Sequence, residues 1–133
     1  MQINGSHIHN ILIVGSWAKE QATILNIRSH TDCDVHVYMD TRNPAIMDMA
    51  DTYRIGSFKK LDDIVDYAAS CRADLVLLTT AAPCNDGIGD MLSERGITVF
   101  GPGRAAAQLE SNKAFTRRLL KKAQPEVIPA FRV

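Results

Sequence analysis

The sequence has no apolar run long enough to cross a membrane, which takes roughly 18–20 residues in a helix. It has no basic segment leading into an apolar one, the mark of a secretory signal. It lacks an excess of either charge, since 15 Lys and Arg balance 15 Asp and Glu. That neutrality argues against bulk binding to nucleic acid. Cysteine is sparse: Cys33, Cys71 and Cys84 are odd in number and lack CxxC spacing. Neither a disulfide frame nor a zinc site is indicated, and a reducing, cytoplasmic setting is expected. Aromatic residues make up only 6% of the chain. What is present is 133 residues, 46% of them apolar, an ordinary composition for one domain with its own core.

The neutrality hides an asymmetry. Residues 1–103 carry 8 basic and 13 acidic side chains, whereas residues 104–133 carry 7 basic and 2 acidic. Lys113, Arg117, Arg118, Lys121 and Lys122 make up most of the basic excess. Such a cluster is either a phosphate-facing surface or the solvated face of one amphipathic helix.

Hydrophobic patterning predicts alternating strands and helices. Residues 1–7 are polar and read as a loose start. The segment His9–Val14 ends in Ile-Leu-Ile-Val without alternation, as a strand buried on both faces of a parallel sheet would. Gly15 stops it, and a moderate helical pattern runs from Ala18 to Ser29. Val35–Met39 reads as a second strand, Asn43–Ala50 as a short helix or turn and Tyr53–Ile55 as a short third strand. Leu61, Ile64, Val65 and Ala68 form one helix face, with Asp62 and Asp63 at its dipole-positive start. Leu75–Thr79 is a further strand, Asp86–Arg95 a helix ended by Gly96, and Ile97–Phe100 the last strand. After the break at Gly101–Gly103, Ala105–Glu110 makes one or two helical turns, and Ser111 is placed to cap a helix over Asn112–Ala123. The order predicts an α/β fold, a Rossmann-like, doubly wound and mainly parallel sheet. The tail from Val127 to Val133 is apolar and suggests a chain entering another element, so residues 1–133 are expected to be one domain of a longer protein.

Ligands of such sheets bind beyond the carboxyl ends of the strands, where the winding reverses. Two loops fall there if the first and fourth strands are central. The first is Gly15-Ser16-Trp17-Ala18-Lys19-Glu20, which offers backbone N–H groups at a helix start, a hydroxyl and a lysine. With one glycine it is also readable as a plain strand-to-helix turn. The second, Thr79 to Gly87, contributes hydroxyls, Pro83, the Asn85 amide and Gly87 around a helix start near Asp86. A helix start could lower the pKa of Cys84, but no histidine is near it in sequence, and nucleophilic chemistry is not expected there. Asp40 ends the second strand, where dinucleotide folds often carry a ribose-binding acid. His7 and His9 alternate on an extended segment, as metal ligands or as a solvated terminus. Met39, Met47, Met49 and Met91 read as core filling.

One block goes beyond periodicity. Residues 97–116 contain Phe100-Gly101-Pro102, Ala105-Ala106-Ala107-Gln108-Leu109-Glu110 and Ser111-Asn112-Lys113-Ala114-Phe115. This resembles the end of the N-terminal domain in the phosphoribosylamine–glycine ligase (glycinamide ribonucleotide synthetase) family, with its Phe-Gly-Pro, Ala-Ala-x-Leu-Glu and Ser-Lys-x-Phe. Ile11–Gly15 is similar to the family's first strand, Lys19-Glu20-Gln21-Ala22 to its Arg-Glu-His-Ala, and Ala82–Gly87 to its Pro-Glu-Ala-Pro loop. The family's Gly-Asn-Gly-Gly before Arg is here Gly15-Ser16-Trp17-Ala18, and Ala81 stands for the glutamate of Pro-Glu-Ala-Pro.

The resemblance implies the domain that precedes the ATP-grasp region of a purine-synthesis ligase. Such a ligase activates glycine with ATP and Mg2+ as an acyl phosphate, which the amine of phosphoribosylamine attacks. It implies substrate-side contacts from Gly15, Ser16, Trp17, Lys19, Glu20, Pro83, Asn85 and Gly87. It aligns Lys113 with a lysine that reaches the ATP phosphates. It assigns no catalytic residue and no metal ligand to this stretch, and no ATP or Mg2+ is expected to bind it alone. From another class, a noncatalytic Rossmann-like module binding a nucleotide or phosphorylated small molecule also fits the single-glycine loop.

Overall fold

The computed structural model describes residues 2–3 and 5–130. Strands β1 (Gln2–Ile3) and β2 (Ser6–His7) form a small antiparallel pair. The expectation of a loose start is thereby corrected: Gly5, at φ +84°, supplies the left-handed turn that joins the two. Then follow β3 (Asn10–Val14), α1 (Ala18–His30), β4 (Asp34–Met39), α2 (Pro44–Met49), β5 (Thr52–Ile55), α3 (Leu61–Ser70) and β6 (Leu75–Leu78). The remainder is α4 (Ala81–Asp86), α5 (Ile88–Glu94), β7 (Thr98–Phe100), α6 (Arg104–Ser111) and α7 (Lys113–Ala123). A 3-10 turn at Pro125–Val127 follows. The apolar tail ends in Phe131–Val133, which lie outside the described residues.

The main sheet has the order β5-β4-β3-β6-β7, and every pairing in it is parallel. This is the doubly wound arrangement expected from the sequence. Because β3 is central, its side chains are buried on both faces. Leu12 and Val14 join Tyr38, Ile64, Val76 and Ile88 in one core, under α3, α4 and α5. Ile11 and Ile13 join Ile24, Val35, Val37 and Ile46 in the other, under α1 and α2. Each such aliphatic side chain contributes about 1.5–3 kcal/mol when fully buried. Met39 is fully buried, and Met47, Met49 and Met91 pack at the margins of the two cores.

Three boundaries differ from expectation. The segment after β6 is not an open loop but α4, with Pro83 as its third residue. Proline is harmless there, because the first N–H groups of a helix have no intrahelical partner. Gly87, at φ +98°, ends α4 and turns the chain directly into α5, so the next helix starts at Ile88 rather than Asp86. Ser111 is the last residue of α6, and the cap of α7 is Asn112, whose side-chain oxygen accepts from Phe115 N–H at 3.0 Å.

Away from the strand ends that face α1, His36 on β4 lies buried between Thr52 Oγ1 at 2.7 Å and Asn10 Oδ1 at 3.3 Å. Burial lowers its pKa below the ordinary 6.5, with Asp34 and Asp51 pulling in the opposite direction.

Two outcomes follow from these placements. Asn112→Ala should lose about 1 kcal/mol of local α7 stability, read by amide hydrogen exchange, while Ser111→Ala leaves exchange unchanged. A histidine whose folded pKa is depressed stabilises fully above its unfolded value and loses that stability as pH falls through the folded one. Urea denaturation should therefore show stability weakening as pH drops below 6.5, and His36→Gln should flatten that slope.

Candidate functional site

The carboxyl end of β3 is tied on both sides. Gly15 N–H donates to Tyr38 O at 3.0 Å, across the β3–β4 edge. On the other side Val14 O accepts from Thr79 N–H at 3.3 Å and from Thr79 Oγ1 at 2.8 Å. The chain winds toward β4 and β5 on one side and toward β6 and β7 on the other, so the loops after β3 and β6 meet at this reversal.

The first loop is held from within. Ser16 is buried, and its Oγ donates to Asp40 Oδ1 at 2.7 Å while accepting from Asp40 N–H at 3.0 Å. The Asn43 amide donates to Ser16 O at 2.9 Å and also accepts from Ile46 N–H to cap α2. Asp40 thus braces this loop. Trp17 occupies the N-cap of α1 in extended backbone, φ −118°, which any residue adopts, and its indole turns to solvent, 63% exposed. An indole carries no acceptor, so it cannot cap the helix itself.

That role falls to Glu20, three residues on. Its Oε2 accepts from Trp17 N–H at 2.6 Å, the half of a capping box that an acid at this position supplies. Glu20 is fully buried, and its Oε1 has no hydrogen-bond partner. The Lys19 ammonium is 3.9 Å from Oε1, within ion-pair distance but beyond hydrogen-bond reach. Gly15 lies directly against the carboxyl group: a Cβ there would come within 2.6 Å of Glu20 Cδ, Glu20 Oε1 and Thr79 Oγ1.

Over this point opens a cleft of about 200 Å³, whose walls include Lys19, Thr79, Thr80, Cys84, Asn85 and Glu110. Of the residues expected from the sequence, Lys19 and Asn85 line it, and Gly15 and Glu20 lie next to its Thr79 wall. Ser16 sits behind them on Asp40. Pro83 is buried within α4, and Gly87 faces Arg104 at the α4–α5 turn. Lys113 lines a separate groove with Leu109, Thr116, Arg117 and Ile128.

Cys84 is not at a helix start but in the last turn of α4, where its thiol donates to Thr80 O at 3.2 Å. Burial first, and then the nearby Glu110 carboxylate, push its pKa up, the opposite of nucleophile activation. The rings of His7 and His9 stack with centroids 6.0 Å apart. Among the described residues no three His, Cys, Asp or Glu side chains converge to hold a metal ion. Glu110, part of the Leu109-Glu110 block of the resemblance, lines the cleft from α6, a placement that nothing local in the sequence indicates. The burial of Glu20 did have a local signal: it stands four residues before Ile24, on the same helix face.

The family profile described as phosphoribosylglycinamide synthetase, N domain, matches residues 9–110. A phosphoribosylamine–glycine ligase of Methanocaldococcus jannaschii is 32% identical over 112 residues, covering 84% of this chain and 25% of that protein. The chain thus spans about a quarter of that relative's length. Among solved structures, glycinamide-RNase-transformylase T from Mycobacterium tuberculosis is similar with a TM-score of 0.73 and 14% identity, over 93% of this chain and 34% of that one. The N5-carboxyaminoimidazole synthetase of Staphylococcus aureus, complexed with ADP, also gives 0.73, at 15% identity over 94% of this chain and 32% of that one. At such identity the two structures bear on the fold.

Gly15→Ala would drive a methyl group into Glu20 and Thr79. Chemical denaturation should show a loss of about 1–3 kcal/mol, as for other overpacked sites.

Proposed function

The chain belongs to the family of the phosphoribosylglycinamide synthetase N domain, and from that membership we propose that it is the N-terminal, substrate-side domain of an ATP-dependent phosphoribosylamine–glycine ligase of purine biosynthesis. The observation that carries the substrate-side part of the proposal is the cleft at the winding reversal, where Lys19 and Asn85 meet on one wall system with Thr79 and Thr80. In the reaction, glycine is activated as an acyl phosphate, and the amine of phosphoribosylamine attacks its carbonyl carbon. The new C–N bond forms as the C–O bond to phosphate breaks, phosphate leaves, and the amine gives up a proton.

The part of this chain is binding and orientation. The exposed Lys19 ammonium attracts the substrate's phosphate as a mobile point charge. The start of α1, 13 residues long, adds its N–H groups and dipole. Asn85, Thr79 and Thr80 supply hydrogen bonds toward a ribose. The ADP bound by the staphylococcal synthetase supports ATP use in the longer protein. Lys113, exposed at the start of α7 and just beyond the matched residues, would reach the ATP phosphates there. Magnesium would be held by carboxylates of an ATP-grasp region outside these residues, where it would neutralise phosphate charge. A cytoplasmic location goes with this role, and the free thiols Cys33, Cys71 and Cys84 support it. No helix among the described residues is long and apolar enough to cross a membrane.

Trp17 reports on the loop. Titration with ribose 5-phosphate should change its emission with a dissociation constant of roughly millimolar, while uncharged ribose has no effect. Lys19→Ala should abolish the response. An unchanged emission, with ribose 5-phosphate indistinguishable from ribose, would contradict the proposed role.

A further inference from the structure

The α6 helix has no cap of its own. Its N-cap is Gly103, which has no side chain to offer the first N–H groups. Asp90, in the first turn of α5, fills that place from 14 residues earlier: its Oδ2 accepts from Arg104 N–H at 2.8 Å. The carboxylate also suits the positive end of the α6 dipole. A Cβ on Gly103 would press against Asp90 Oδ1. The joint is tight on its other sides as well. A Cβ on Gly89 would come within 2.6 Å of Pro102 O, and one on Gly101 within 2.7 Å of Leu78 Cβ. Three glycines thus seat the turn from β7 into α6 against α5 and β6.

What hangs on this joint is one wall of the cleft. Pro102, Ala107 and Glu110 line it, and α6 carries the last two. Eight residues are too few to hold a helix by themselves, and Ala107 is the buried residue of α6. The orientation of α6 therefore depends on how its ends are fastened. We infer that Asp90 is a positioning residue of the cleft: by capping α6 from α5 it fixes the α6 wall, and with it the Glu110 carboxylate, against α4. The inference goes beyond the substrate reading, because it concerns how the wall is held and not which ligand enters. Lys19 and Glu110 are the charged residues that line the cleft. Without the cap the first turn of α6 frays and Glu110 drifts from α4. The cleft then keeps its lysine and loses its acid, so Asp90 sets the balance of charge there without touching the cleft itself.

Cys84, on α4 and in the same cleft, serves as the probe, so no ligand is needed. Burial raises its thiol pKa and the Glu110 carboxylate raises it further, and the Cys84 13Cβ resonance follows the titration. In the wild-type chain Glu110→Gln should move that titration to lower pH. In Asp90→Ala the same replacement should move it little, because Glu110 has already left. Asp90→Asn keeps an acceptor for Arg104 N–H and should restore the full Glu110 effect. Amide exchange of Ala107 to Glu110 should quicken roughly fivefold in Asp90→Ala, the worth of one cap, and stay at the wild-type rate in Asp90→Asn. Gly103→Ala is a milder variant of the same joint, should Asp90→Ala fail to fold. Its methyl group pushes the Asp90 carboxylate off the cap and should likewise silence the Glu110 effect. A Glu110→Gln shift of equal size in the wild-type chain and in the uncapped variants would overturn the inference, as would its absence in the wild-type chain.

Discussion

The cleft depends on the parallel pairing of β3 with β4 on one side and β6 on the other. That pairing makes β3 the axis of the sheet, and the axis is where the winding reverses. It also fixes distances. Gly15 N–H and Val14 O are each engaged by a neighbouring strand or its continuation, so the turn out of β3 begins from a position held on both sides. The lack of a Cβ at Gly15 lets Glu20 and Thr79 close over that position. Loops from separate strands thus become one surface.

The electrostatics of this surface are not those of a plain phosphate loop. Glu20 already brings a carboxylate to the α1 terminus, and Asp40 engages the Ser16 hydroxyl. Glu110 stands on another wall of the cleft. Against these acids, Lys19 is the cation that lines the cleft. Where the family pattern has arginine, a lysine offers a point charge in place of a bidentate fork. Trp17, in place of a glycine, needs no left-handed backbone and keeps its ring in solvent.

Much of this was legible in the sequence. The unalternated runs Ile11–Val14 and Leu75–Leu78 announced central parallel strands because burial on both faces leaves no place for polar residues. Asn43-Pro44 marked the start of α2 by cap and proline chemistry. Other features were hidden because they depend on contacts distant in sequence. The α4 helix looks like a loop in the sequence, since proline and asparagine weigh against helix unless their position within it is known. Ser111 and Asn112 are both good caps, and only the path of the chain between α6 and α7 chooses Asn112. Among the site residues, Lys19 and Asn85 meet in the cleft, while Pro83 serves the interior of α4 and Lys113 belongs to another groove. Glu20 stands in the sequence as a candidate substrate-side residue on the Ile24 face of α1; its role as the cap of α1, packed against Gly15 and Thr79, is visible only in the fold.

The central claim is that the loops after β3 and β6 form one ligand surface at the winding reversal. Backbone amide shifts of the labelled chain, followed while ribose 5-phosphate is added, test it most directly. The amides of residues 15–20, 79–82, 84 and 85 should move together along one binding curve. Shifts confined to α7, or two loops that respond with different affinities, would contradict the account.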